Sequence, residues 1–229
     1  TENGKEKKFD IDPKAAIIFN GKEAEYSKDE LFDFEKGEVY LIDTTRDGDA
    51  DTVIIDSYKS YIVGYVDTSR EIIYDKVSGA AVAKLEDYKH TGFYLSGGAK
   101  ASLADVTDNS VISIKENESY IDIYISTENA SGTISKTFED GDGKYIIMDE
   151  IDYKFDSEFT KNETWFMNGQ FVGKPGDSFK LNLDKFGEIV YIGAVSASDI
   201  KAGYIIKCLY NADDEKIFLK LLSQDGDVL

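Results

Sequence analysis

Along this chain, apolar and polar residues alternate with a period of two. The pattern is plain in Val111-Ile112-Ser113-Ile114, in Tyr120-Ile121-Asp122-Ile123-Tyr124-Ile125 and in Phe179-Lys180-Leu181-Asn182-Leu183. It is the signature of strands with one buried face. Short turn segments separate such runs and predict hairpins. One set pairs residues 38–43 with 52–56, 111–114 with 120–125, and 179–183 with 188–192. A second set pairs 61–66 with 71–75, 132–138 with 145–148, and 204–210 with 216–222, joined by turns rich in Asp, Asn, Ser and Gly. Helical signals are short. Ser27-Lys28-Asp29-Glu30 has capping-box spacing before Leu31 and Phe32 and predicts about two turns. Ser102 to Val106 is its counterpart, and Lys174-Pro175-Gly176-Asp177 reads as a turn at the same place.

Two markers recur. An apolar run ends in a small polar residue and glycine at Asn20-Gly21, Ser96-Gly97 and Asn168-Gly169, with the glycines 76 and 72 residues apart. A second glycine series, Gly64, Gly132 and Gly203, is spaced by 68 and 71. Three divergent copies of one unit explain both. The expected fold is all-β: three tandem five-stranded barrel modules, SH3-like or OB-like, with minor short helices. Their expected spans are 1–76, 77–155 and 156–229. A unit of roughly 70 residues is marginal alone, so neighbouring copies are expected to pack end to end.

Composition narrows the function. The chain has 229 residues and a formal net charge of −19, which argues against nucleic acid or an anionic membrane as partner. A hydrophobic fraction of 41% still allows packed cores. One Cys and one His exclude an internal disulfide framework and Cys/His zinc sites. No apolar run is long enough for a membrane-spanning helix, so no membrane insertion is expected. Signatures of nucleophile elbows, zinc proteases, phosphate-binding loops and dinucleotide sites are missing, and a non-catalytic role is expected.

One stretch has metal chemistry in it. In Asp43-Thr44-Thr45-Arg46-Asp47-Gly48-Asp49-Ala50-Asp51, side-chain oxygens alternate around a glycine turn, as a calcium loop between two strands requires. Asp43, Thr45, Asp47, Asp49 and Asp51 are the candidate calcium ligands. An EF-hand is excluded, because Ile54 stands where its closing glutamate belongs and the flanks are strands. The plainer alternative is an acidic hairpin turn. Glu139 to Gly143 reads as a hairpin turn, Trp165 as a core residue sharing a repeat column with Ile17 and Phe93, and Cys208 as a buried strand residue.

The stretch from Tyr40 to Ile55, continuing through Ser57-Tyr58-Lys59-Ser60-Tyr61-Ile62-Val63-Gly64-Tyr65-Val66, resembles repeats of clostridial-type, Gram-positive cell-surface proteins that also carry S-layer-homology domains. Phe19-Asn20-Gly21-Lys22-Glu23 adds to the likeness. The resemblance is good over residues 17–76 and fades beyond. It implies an extracellular, cell-wall setting and a structural or binding role, and it carries no catalytic residues. The leading expectation is a spacer segment whose partners are neighbouring domains of a longer surface protein. The alternatives are a module binding wall polysaccharide, glycan or protein, and a structural component of a phage virion.

Overall fold

The computed structural model describes residues 10–24, 34, 36–194, 203–211 and 216–223. The helix expected at Ser27 to Phe32 lies outside them. The chain is all-β, and the only helical pieces among the described residues are three 3₁₀ turns, Leu85–Asp87, Leu103–Asp105 and Phe159–Lys161.

The first sheet contains β1 (Asp10–Phe19), β2 (Lys22–Glu23), β3 (Gly37–Ile42) and β4 (Asp49–Ser57), in the order β2-β1-β4-β3. The second contains β5 (Lys59–Asp67), β6 (Ile72–Asp75), β7 (Ala81–Lys84), β8 (His90–Leu95), β9 (Val111–Glu116) and β10 (Tyr120–Ser126), in the order β7-β6-β5-β9-β10-β8. The third contains β11 (Asn129–Asp140), β12 (Gly143–Met148) and β13 (Ile151–Lys154). A small hairpin of β14 (Phe166–Met167) and β15 (Gln170–Phe171) comes next in the chain. β16 (Ser178–Leu183) and β17 (Ile189–Ala194) then complete the third sheet, ordered β13-β12-β11-β16-β17. A last hairpin joins β18 (Gly203–Asn211) to β19 (Lys216–Ser223).

All six hairpins read from the alternation are present, at β3/β4, β9/β10, β16/β17, β5/β6, β11/β12 and β18/β19. The Asn-Gly markers are tight turns. Asn20 and Gly21 have φ of 44° and 70°, and Asn168 and Gly169 have 52° and 74°. Positive φ at both central positions is the type I′ geometry that matches strand twist. At Ser102 the expected capping geometry closes a 3₁₀ turn: its N–H donates to the Asp105 carboxylate at 2.8 Å. The Lys174 N–H makes the same bond to Asp177 at 2.8 Å, which is why both sequences work at that place.

Separate closed barrels are not what forms. The sheets are open, each with two edges, and follow one another in a solenoid-like series. The long strands explain this. Residues 59–62 of β5 pair with β9 and residues 63–67 with β6, while residues 129–133 of β11 pair with β16 and residues 134–140 with β12. Each strand changes partner beside a β-bulge, which bends the sheet rather than closing it. The unpaired bulge residues are Gly64, Ser135 and Ile206, spaced by 71 and 71. The repeat is thus carried by the bulge, and Gly132 is not the counterpart of Gly64.

The sheets also group the chain differently from the spans 1–76, 77–155 and 156–229. β5 and β6, expected to complete the first unit, belong to the second sheet. The large cores follow that grouping. One gathers Val63, Ile73, Leu85, Ile112, Ile121 and Ile123, and the other Ile134, Ile146, Phe155, Leu181, Ile189 and Ile192.

Candidate functional site

The three units meet with almost no chain between them. Tyr58 alone separates β4 from β5, and Thr127 and Glu128 separate β10 from β11. Between the first two units, the Asn20 Nδ2 donates to the Glu116 carbonyl at 2.9 Å and the Asn117 Nδ2 donates to the Asn20 carbonyl at 2.7 Å. Between the second and third, Ile62, Val111 and Val190 form a small buried cluster. The Asn182 Nδ2 also donates to the Asn109 carbonyl at 2.9 Å.

At the centre of these junctions is Lys36, just before β3. Its carbonyl accepts the Tyr58 N–H at 3.0 Å. The next residue must be glycine, since a Cβ at Gly37 would lie 2.2 Å from the Asp56 carbonyl oxygen. The Lys36 side chain is turned inward. Its Nζ donates to Asp156, to Asp184 and, at 3.0 Å, to the Ser60 Oγ, with Glu188 Oε2 at 3.5 Å. Lys36, Asp156 and Asp184 are all buried.

Each carboxylate is held by its own surroundings. Asp184 opens the β16–β17 turn, and its Oδ1 accepts the N–H groups of Phe186 and Glu188 at 2.9 and 3.0 Å. Its Oδ2 accepts from Lys36 and from the Ser60 Oγ at 2.9 Å. The Ser113 Oγ lies 3.1 Å from the Ser60 Oγ, so β5 and β9 both feed the cluster. The Oδ1 of Asp156 accepts the Phe159 N–H at 3.1 Å. Glu188 Oε1 pairs with Lys154 at 2.9 Å. Two ammonium groups therefore face three carboxylates. Burial works hardest on Lys36, against its charge, but Asp156 and Asp184 more than offset it, and its pKa stands above the ordinary 10.5.

Asp156, Asp184 and Glu188 are the one group of three acids among the described residues whose oxygens all lie within 4.8 Å of one another. A cation belongs at such a point, and the Lys36 ammonium occupies it. The described residues contain no buried side-chain polar atom without a hydrogen-bond partner. The arrangement is therefore a polar pin that joins the first, second and third units. Beside it an open cleft of about 550 Å³ runs along Tyr61, Asp75, Glu158, Phe159 and Thr164.

The candidate calcium ligands are elsewhere: Asp43, Thr45 and Asp47 lie on the exposed β3–β4 turn, and Asp49 and Asp51 at the start of β4. Asp43 Oδ1 and Oδ2 accept the Arg46 and Gly48 N–H groups at 2.5 and 3.0 Å, and the Thr45 Oγ1 lies 3.4 Å from Asp43. Asp47 accepts the Asp49 N–H at 3.1 Å. Asp51 accepts the Thr44 Oγ1 and N–H at 2.6 and 2.8 Å, and these bonds hold its pKa below the ordinary 3.8. The carboxylates of Asp43, Asp47 and Asp51 are thus turned onto donors of the loop itself.

Two aromatic residues, Trp165 and Tyr58, have structural places. Trp165 packs edge-on against Phe179 at 5.3 Å, in the third unit's core. Tyr58 is buried between Tyr124 and Phe186, with the Lys185 Nζ 3.9 Å from its ring centre. Sequence reasoning missed Lys36, Asp156, Asp184 and Glu188. The nearest signal was the Lys36-Gly37 pair ahead of a strand, and nothing local links it to acids more than a hundred residues on. No protein-family model matches the chain, and a search of curated proteins finds no relative.

Proposed function

We propose that this chain is a stiff, non-catalytic spacer segment of an extracellular cell-surface protein, built as a series of β units that hold neighbouring domains apart. The observation that carries this reading is the Lys36 pin. A single buried ammonium bonds to Asp156, Asp184 and Ser60, so three units are tied at one point without flexible linkers. Beaded modules need no such contact, whereas a rigid segment does. The net charge of −19 suits crowded surface arrays, where like charges repel. The cell-wall setting is supported by the resemblance of residues 17–76 to Gram-positive surface repeats.

Small-angle scattering tests the reading. The wild type should scatter as one stiff, elongated particle, and Val190→Asp, which breaks the apolar contact between the second and third units, should scatter as a flexible one. A wild type that behaves as loosely jointed beads, or as a sphere, overturns it. The glycan-binding alternative would use the cleft along Tyr61 and Glu158. Retention on purified cell-wall polysaccharide that Tyr61→Ala abolishes would favour binding over spacing.

A further inference from the structure

The described residues contain two Asn-Gly pairs, Asn20-Gly21 between β1 and β2 and Asn168-Gly169 between β14 and β15, each in a tight turn with positive φ at both positions. A third pair, Asn3-Gly4, lies outside them. Asn before glycine is chemically labile, because a residue without Cβ lets its backbone nitrogen approach the preceding side-chain amide. That nitrogen, deprotonated by hydroxide, attacks the Asn Cγ. The N–Cγ bond forms, the Cγ–Nδ2 bond breaks, and ammonia leaves behind a five-membered succinimide. Water then opens the ring at one of its two carbonyls, giving aspartate or isoaspartate. By sequence the two pairs are equal.

The fold makes them unequal. Asn20 is buried at the junction of the first two units. Its Nδ2 donates to the Glu116 carbonyl at 2.9 Å, and its Oδ1 accepts the Ser57 N–H at 2.8 Å. Gly21 is covered as well, since a Cβ there would lie 2.9 Å from the Tyr120 hydroxyl. To react, the Asn20 side chain must give up both bonds and turn onto a nitrogen beneath Tyr120. Asn168 is exposed, and neither its amide nor the Gly169 N–H has a hydrogen-bond partner among the described residues. A Cβ at Gly169 would meet nothing within 4 Å. Such openness does not require the end of an array: the counterpart Gly97 also has nothing within 4 Å, although the third unit follows it. The hairpin around Asn168 is short, pairing only Phe166 with Phe171 and Met167 with Gln170, so it opens readily.

We propose that Asn168 is a site of spontaneous deamidation, and that the junction between the first two units protects Asn20 from the same reaction. Both products add a negative charge to the turn. Isoaspartate also carries the main chain through Cγ, which lengthens the backbone of a two-residue turn by one carbon, and type I′ geometry has no place for it. The hairpin holds the Phe166 and Phe171 rings 5.0 and 4.9 Å from that of Phe155, centre to centre, and Phe171 lies 6.1 Å from Trp165. Losing its register loosens the third unit's core beside the one tryptophan of the chain. The modification does not depend on the spacer reading.

Protein warmed for days in mildly alkaline buffer, then digested and mapped by mass spectrometry with isoaspartate assigned, tests it. Asn168 should convert at least about tenfold faster than Asn20, because two hydrogen bonds must break before Asn20 can react. In denaturant the two should convert alike, and in the folded protein Tyr120→Ala should speed Asn20. Trp165 emission should shift to the red in step with Asn168 conversion. In Asn168→Gln, whose longer side chain closes a ring far more slowly, it should stay constant. Equal rates at the two sites in the folded protein, an Asn168 that does not convert, or a difference that persists in denaturant overturns the proposal. A red shift that continues in the Gln variant overturns the loosening of the core.

Discussion

Lys36 and Asp184 are separated by 148 positions in the chain and share a buried hydrogen bond at the point where three β units meet. Lys36 belongs to the segment before β3, and Asp184 to the turn between β16 and β17. Ser60 of β5 binds both. The pin therefore spans the described structure from its first sheet to its third, and its loss should be felt by the array as a whole.

Lys36→Met removes the ammonium and leaves Asp156 and Asp184 buried without their cation. Breaking a buried pair from one side costs about 3–5 kcal/mol. The expected result is a clear drop in the denaturant midpoint. Replacing the exposed Lys22, which pairs with Glu118 at the surface, should cost no more than about 1 kcal/mol. Equal effects from the two substitutions would show that the buried pin is not the stronger tie.

The pin also sets the alkaline limit of stability. The Lys36 pKa is raised in the folded state, so its contribution is complete below the unfolded value of 10.5 and is lost as pH climbs through the higher folded value. Thermal melts taken stepwise above that pH should fall for the wild type. In Lys36→Met that part of the fall should be missing.

Gly64 and Gly132 should respond differently to alanine, since they are not equivalent positions of the repeat. A Cβ at Gly64 would sit 2.9 Å from the Lys76 Cα and 3.2 Å from its backbone nitrogen, atoms that cannot move aside. Overpacking of that kind costs about 1–3 kcal/mol. At Gly132 the clash is with the carboxylate of the exposed Asp149, 2.6 Å away, which can swing clear. Gly64→Ala should lower the melting temperature by more than Gly132→Ala does.

Asp67, at the β5–β6 turn, accepts the Ser69 hydroxyl at 2.7 Å and the Arg70 Nε at 2.6 Å, and its pKa is held down to about 2. The bond it contributes is present above the unfolded value of 3.8 and is lost as pH falls towards 2. Carboxyl carbon shifts followed by NMR should show this titration. Ser69→Ala should move it upward, because the Ser69 hydroxyl is the largest cause of the depression.

The Asp43 to Asp51 turn makes a separate test. The carboxylates of Asp43, Asp47 and Asp51 already accept N–H or hydroxyl groups of their own loop, so melts in chelator and in millimolar calcium should coincide. A calcium-dependent rise that Asp47→Ala removes would instead make the loop a metal site, by mass action on the folded state.

The features legible in the residues alone are local. The alternation in YIDIYI and FKLNL, the Asn-Gly pairs and the Asp-rich turns specify hairpins, because a hairpin's partners are a few residues apart and its turn chemistry lies between them. The existence of a repeat near 71 residues was legible for the same reason. Its phase was not: a tandem array has the same period wherever it is cut, so nothing in the markers told whether β5 and β6 close the first unit or open the second. Only the pairing of β5 with β9 and the bend at the Gly64 bulge decided that. The pin was equally out of reach. Among 45 acidic residues, Asp156, Asp184 and Glu188 carry no local mark. They become partners of Lys36 because stacking the units brings a turn of the third against the segment before β3, where burial leaves each charge no solvent and only the others to bind.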